Sequence, residues 1–318
     1  MTAENQRKTE SGLALYHPIV SFGYFIAVIA GTLLFIHPFF AYASLCCAIV
    51  FSALINGKKT LLATVGFGFP MFLMVALANP LFNHHGATFL FYIEDNPVTL
   101  ESFIYGIVSG GMMFAAVVWF TCYNTVVSSD KFLYIFGKIL PSIALIVSMT
   151  LSLIPRLLSQ VKVIADSQRT LGMDWKSGSL KQRVKSGARI LSILVSWALE
   201  DAVTTADSMR ARGYGQHRRS NFSIFRFGRR DAVMLAAIVL LFGAEIYTYA
   251  SSRGTMTFYP TAVWPEINAA NLMLYGAFFA LGILPSLIQL KEDRKWKQLK
   301  ETALALNIPL AVSRPLKI

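Results

Sequence analysis

Residues 102–123 read SFIYGIVSGGMMFAAVVWFTCY, a run of 22 residues without one Asp, Glu, Lys or Arg. At 1.5 Å per residue a helix of that length covers about 33 Å, enough for the hydrocarbon core of a bilayer. Gly106 and Gly110 lie four apart on one face of it. That spacing lets two membrane helices approach closely. Five further apolar runs of adequate length flank it, at about 18–36, 39–55, 61–78, 231–250 and 269–290. His37-Pro38 alone separates the first two, which makes a tight hairpin. A short turn, Asn56-Gly57-Lys58-Lys59-Thr60, separates the next pair. The composition agrees: 55% of the 318 residues are hydrophobic and 14% charged, where soluble domains carry roughly 25% charged residues. The expected fold class is all-α, a polytopic membrane helical bundle.

Orientation follows from where Lys and Arg fall. Residues 79–101 contain Glu94, Asp95 and Glu101 but no Lys or Arg, and residues 251–268 contain one Arg. The turn at 56–60 has two Lys, and the tail begins Lys291-Glu292-Asp293-Arg294-Lys295-Trp296-Lys297. The bias puts loops 79–101 and 251–268 outside the cell membrane and both termini in the cytoplasm. Basic cytoplasmic loops account for the net charge of +12 without any nucleic-acid partner. The first ten residues carry mixed charge, unlike a cleavable signal, so the first apolar run is expected to stay in the mature chain.

The middle of the chain breaks the pattern. Residues 139–155 are uncharged but number only 17, with proline near both ends, and the run 190–199 is shorter still. Residues 156–230 hold 15 Lys plus Arg against five Asp plus Glu. A full crossing by 139–155 would export residues 156–186, with seven Lys plus Arg against two Asp, in violation of the charge bias. The reading is a cytoplasmic or interfacial coupling-helix module at 139–230. Around it stand a cytoplasmic N-terminus (1–17), a four-span bundle (18–138), two further spans (231–290) and a basic tail (291–318). The alternative is that 139–155 and 187–203 both cross as a tight pair.

Chemistry for catalysis is not evident. Gly57-Lys58-Lys59-Thr60 lacks the upstream glycine and strand of a phosphate-binding loop. His84-His85 has no third metal ligand in view. Cys46, Cys47 and Cys122 sit in apolar runs with no zinc or disulfide spacing. No enzyme activity, cofactor or metal is expected. Glu245, the one charge deep in a span, is read as leaning out into the nearby interface.

The most telling segment is Ala206-Asp207-Ser208-Met209-Arg210-Ala211-Arg212-Gly213-Tyr214-Gly215. Physically it is a helix end: Ala202, Ala206 and Met209 share a face, cations gather in the last turn, and Gly213 suits a left-handed cap. The small residues at 202 and 206 point to a second helix crossing there.

Ala211-Arg212-Gly213-Tyr214, in this setting, resembles the second Ala-Arg-Gly signature of the transmembrane T component of energy-coupling factor (ECF) transporters, the EcfT/CbiQ family. Leu140-Pro141, Ile154-Pro155-Arg156 and Ala165-Asp166-Ser167-Gln168-Arg169 resemble the family's approach to its first signature. Where a first Ala-Arg-Gly would stand, this chain has Thr170-Leu171-Gly172. Arg169 is two residues away, about 200° round the helix. Either the first contact is weakened or Arg169 reaches it differently. The resemblance implies a non-catalytic subunit of an ABC importer for a vitamin or transition-metal ion, joining two cytosolic ATPases to a small membrane S component. Helices 156–172 and 187–213 would be its coupling helices, with Arg169, Gly172, Arg210, Ala211, Arg212 and Gly213 at the ATPase contacts. The competing reading is a membrane scaffold whose basic module binds anionic lipid or another protein, without ATPase coupling.

Overall fold

A computed structural model describes residues 12–83, 86–93, 96–137, 139–173, 179–216, 225–251, 256–261, 263 and 268–305. The His84-His85 pair lies outside them. A 3-10 turn, Gly12–Leu15, precedes α1 (Pro18–Leu34) and α2 (Pro38–Phe82). A hairpin of β1 (Phe89–Ile93) and β2 (Asn96–Thr99) leads into α3 (Leu100–Val126) and the short α4 (Ser129–Gly137). Then come α5 (Pro141–Thr170), α6 (Leu180–Ala211), α7 (Arg229–Ala250) and α8 (Ala269–Ala305). The chain divides into two compact units: Met1–Phe132 with Phe225–Ile318, and Leu133–Ile224.

Two His-Pro dipeptides open the first two helices in the same way. Proline takes the first helical turn, where its missing N–H is no loss. The imidazole Nδ1 of the preceding histidine accepts an orphan backbone N–H: Ile19 N–H to His17 at 3.3 Å, Phe39 N–H to His37 at 3.1 Å. Gly57, at φ 73° and ψ 171°, breaks α2 into Pro38–Gly57 and Lys59–Phe82. Only glycine takes that conformation without strain.

Among the described residues, six helices are long and apolar enough to cross a membrane: Pro38–Gly57, Lys59–Phe82, Leu100–Val126, Pro141–Thr170, Arg229–Ala250 and Asn271–Trp296. The protein is a multi-pass helical membrane protein. Two expectations are corrected here. The run expected to cross at 18–36 forms a helix of 17 residues, about 26 Å long, because Phe35 leaves helical geometry before His37. The uncharged run at 139–155 and the coupling helix expected at 156–172 are not separate elements. One helix continues through Pro155 to Thr170, since proline forfeits one hydrogen bond and kinks a helix without having to terminate it.

Inside the first unit the core is aromatic. Trp119, Tyr24, Phe25 and Phe51 are fully buried, with ring centroids 6.0–6.3 Å from Trp119. Trp119 Nε1 donates to Ser44 Oγ at 2.9 Å, and Ser44 shares a 2.7 Å hydrogen bond with Thr32. α2 and α3 pack as an antiparallel ladder. A Cβ on Gly106 would fall 2.6 Å from the Ala76 carbonyl oxygen, and one on Gly110 2.9 Å from that of Phe72. The sequence spacing of these glycines thus has a structural cause.

The ends of this unit are distinct. At one, Ala87 N–H donates to Pro260 O (3.0 Å) and Asn83 Nδ2 to the Tyr259 hydroxyl (2.9 Å), which ties together the two loops poor in basic residues. At the other, His17 N–H and Gly228 N–H both donate to Asp231, each at 2.9 Å. Lys131 Nζ there donates to Ala14 O (2.6 Å) and Val126 O (3.2 Å). Burial pushes the Lys131 amine down to about 8.

Glu245 overturns an expectation. It does not lean into an interface; it is completely buried. The buried residues of α7 are Asp231, Met234, Ile238 and Glu245, spaced three, four and seven apart, which is one helix face. Its place on that face, not its distance from the helix end, decides its surroundings.

Candidate functional site

In the second unit α5 and α6 pack on each other. Arg156 pairs with Asp201 at 3.6 Å, and the Arg189 guanidinium donates to the Met173 sulfur. Residue 156 faces 201 while 173 faces 189, so the helices run antiparallel. From the ion pair, α6 extends 11 residues to Arg212 and α5 extends 15 to Leu171, arms of about 16 and 22 Å. The two tips therefore project from a common crossing in opposite directions.

The tips have the same backbone. At the end of α6, Gly213 N–H donates to Arg210 O (2.9 Å) and Tyr214 N–H to Met209 O (3.0 Å). At the end of α5, Gly172 N–H donates to Arg169 O (3.0 Å) and Met173 N–H to Gln168 O (3.0 Å). Gly172 and Gly213 both sit at φ +77°. Each is a Schellman cap, which satisfies two orphan carbonyls by turning the chain left-handed at glycine. Superposing the caps by register matches Gly172 with Gly213, Leu171 with Arg212, Thr170 with Ala211 and Arg169 with Arg210. The place held by Arg212 on one tip is held by Leu171 on the other. Arg169 occupies the register place of Arg210.

Arg169, Arg210, Ala211 and Arg212 are all exposed, and Leu171 is 67% exposed. A tip that displays an apolar leucine and a tip that displays a guanidinium offer different chemistry on one scaffold. Ala202 and Ala206 are exposed and Met209 half-buried. The seam against α5 runs one step round the helix, through Ile190, Leu194, Trp197 and Asp201, which are buried or half-buried. One residue is 100° of helix, so the expected crossing at Ala202 and Ala206 is displaced to the Asp201 face.

A membrane bundle whose sequence carries an antiparallel helix pair between its third and fourth long helices, each helix of the pair ending in a glycine cap, defines the class: a polytopic helical membrane protein with two exposed, capped helix ends. A family model described as cobalt transport protein, CbiQ, matches residues 18–224, and the chain belongs to this EcfT/CbiQ family of membrane transport proteins. Among its relatives is the energy-coupling factor transporter transmembrane protein EcfT of Lactobacillus helveticus, 34% identical over 36% of this chain and 41% of the relative. Another is EcfT 1 of Listeria monocytogenes, 28% identical over 47% of this chain and 61% of the relative. A third is a putative ABC transporter ATP-binding protein of Bifidobacterium longum, 30% identical over 33% of this chain and 14% of the relative. The chain thus spans about two fifths to three fifths of the length of the EcfT relatives it matches.

Proposed function

We propose that this chain is the transmembrane coupling component of an ECF-type importer in the cell membrane, with both termini cytoplasmic. Its partners are two cytosolic ABC-type ATPase subunits and a small S component that selects the vitamin or transition-metal ion. ATP hydrolysis belongs to the ATPases; this chain transmits their motion. The observation that carries the reading is the pair of identically capped tips on diverging arms, one presenting Arg212. A helix end fixed by a Schellman cap is a stiff lever. Arginine on it stays charged and offers a planar fork to a carboxylate in a partner's groove. The likeness of part of this chain to part of a protein named for ATP binding supports the same association.

The test is co-expression with the two ATPases and the S component, followed by affinity purification and uptake in reconstituted vesicles. The complex should be retained and uptake should require ATP. Arg212→Ala should weaken ATPase binding by about 2–5 kcal/mol, since it leaves a desolvated partner charge unpaired. Leu171→Ala should weaken it much less. Isolation of the chain without ATPases under conditions that preserve other ABC complexes would favour a membrane scaffold instead.

A further inference from the structure

The first unit contains two buried carboxylates in different settings. Glu101, 3% exposed, receives Thr88 N–H at 3.2 Å and the Thr88 hydroxyl at 2.9 Å. Those donors solvate a negative charge. Glu245, 0% exposed, has neither oxygen in a hydrogen bond with any described residue. It stands where α7 meets α1 and α8. A Cβ at Gly31 of α1 would lie 2.6 Å from Glu245 Oε2 and 3.4 Å from Phe278 Cε2 of α8. The carboxyl group therefore lies against a backbone stripped to glycine, in space that any larger residue at position 31 would fill.

No positive charge faces it from any of these elements. α1 carries no Asp, Glu, Lys, Arg or His, and its titratable group on this side is Tyr24. The Tyr24 proton is already donated to Leu281 O at 3.2 Å. On α7 the neighbouring titratable groups are Tyr247 and Tyr249, and the charges Arg229, Arg230 and Asp231 lie 14 or more residues back, about 21 Å along the helix. On α8 the nearest titratable group in sequence is Tyr275, and the first charge beyond Phe278 is Lys291, 13 residues on, about 20 Å away. α2 brings Cys47, against Gly282, while the His37 ring packs at a tilt beside Tyr275. Among the described residues, a carboxylate here would have neither counter-ion nor donor. A metal ion would need several oxygen ligands, and no group of three or more His, Cys, Asp or Glu able to hold a metal occurs among the described residues. The ligand that fits the site is the proton.

We propose that Glu245 is a proton-binding site inside the membrane bundle: the folded chain holds it as the neutral carboxylic acid, and the packing of α1, α7 and α8 around Gly31 depends on that proton. The sign of the pH dependence follows. The unfolded chain releases this proton in the ordinary carboxylate range and the folded chain does not. Raising the pH above that range therefore favours unfolding. Glutamine keeps the shape and carries no titrating proton.

The experiment uses the full chain in lipid nanodiscs, uniformly labelled with 13C-glutamate, followed by infrared spectroscopy at neutral pH. A labelled carboxylic-acid carbonyl band is expected, and it should be lost in Glu245→Gln. The unfolding midpoint of the wild type should fall relative to Glu245→Gln as the pH is raised from about 5 to 9. A wild-type spectrum showing only labelled carboxylate bands overturns the proposal without recourse to any variant. So does a pH profile parallel to that of Glu245→Gln. Should that variant fail to insert, Glu245→Met serves for the band assignment and the profile.

Discussion

Gly106→Ala tests the packing on which the membrane bundle rests. Alanine normally stabilises an interior helix position by roughly 0.5–1 kcal/mol relative to glycine. At Gly106 the new Cβ would sit 2.6 Å from the Ala76 carbonyl oxygen, where ordinary contact begins at 3.4 Å. The obstacle is backbone, so no rotamer change relieves it, and α2 and α3 must separate by about 0.8 Å. Overpacking of this kind typically destabilises by about 1–3 kcal/mol. Net of the propensity gain, Gly106→Ala should destabilise by about 1–2 kcal/mol. At Gly110 the shortfall against Phe72 O is about 0.5 Å, and the effect should be smaller. Because both positions force the same helices apart, the double variant should lose less than the two singles together. Gly276→Ala is the control: nothing lies within 4 Å of its Cβ position, so it should be neutral or stabilising. The assay is reversible unfolding in mixed micelles, followed by tryptophan fluorescence. Gly106→Ala as stable as Gly276→Ala would refute the close approach of α2 and α3.

Other outcomes follow from the same contacts. Lys131 is charged at neutral pH but held at about 8 by burial, below its ordinary 10.5. The unfolded chain keeps the proton longer, so wild-type stability should rise relative to Lys131→Met as the pH goes from about 8 to 10.5. The full swing is about 3 kcal/mol, read from unfolding midpoints. Trp119→Phe leaves Ser44 without the indole donor and should lower stability by about 1 kcal/mol. For orientation, Tyr92→Cys should react with an impermeant thiol reagent added outside intact cells in a background lacking the native cysteines, and Arg183→Cys should not. Labelling of position 183 from outside would overturn a cytoplasmic second unit.

The membrane spans were legible because they rest on a property that sums over many residues. Removing charge from 22 consecutive positions leaves few alternatives to a buried or lipid-facing helix. The break at His37-Pro38 and the one at Gly57 were legible as punctuation, since proline and glycine constrain the backbone locally. The misreadings arose where a local cue was weighed against helical phase. Pro155 followed by Arg156 looked like an end, yet the buried or half-buried positions 153, 157, 160, 164 and 168 keep one stripe running through it. Ala202 and Ala206 looked like a crossing because they are small, but the seam is set by the stripe that contains Asp201. Glu245 looked interfacial because it is near a terminus, and the stripe of Met234 and Ile238 carries it inward.

The two helix tips show what such phase makes readable. A Schellman cap fixes the glycine at one register position, so Gly172 and Gly213 align the preceding residues without any structure. That alignment alone matches Leu171 with Arg212, and the backbone hydrogen bonds at both ends agree. What the sequence could not decide was whether Arg169 bends back to replace the missing arginine. The backbone adds the register: Arg169 accepts the Gly172 N–H through its own carbonyl, as Arg210 accepts that of Gly213, so its Cα stands in the place of Arg210. The two helix ends are alike in backbone and unlike in the side chain they present. A partner groove that recognises charge distinguishes them, and one that recognises only a helix end does not. Comparing Arg212→Ala with Leu171→Ala in the proposed complex therefore measures which of these chemistries a partner reads.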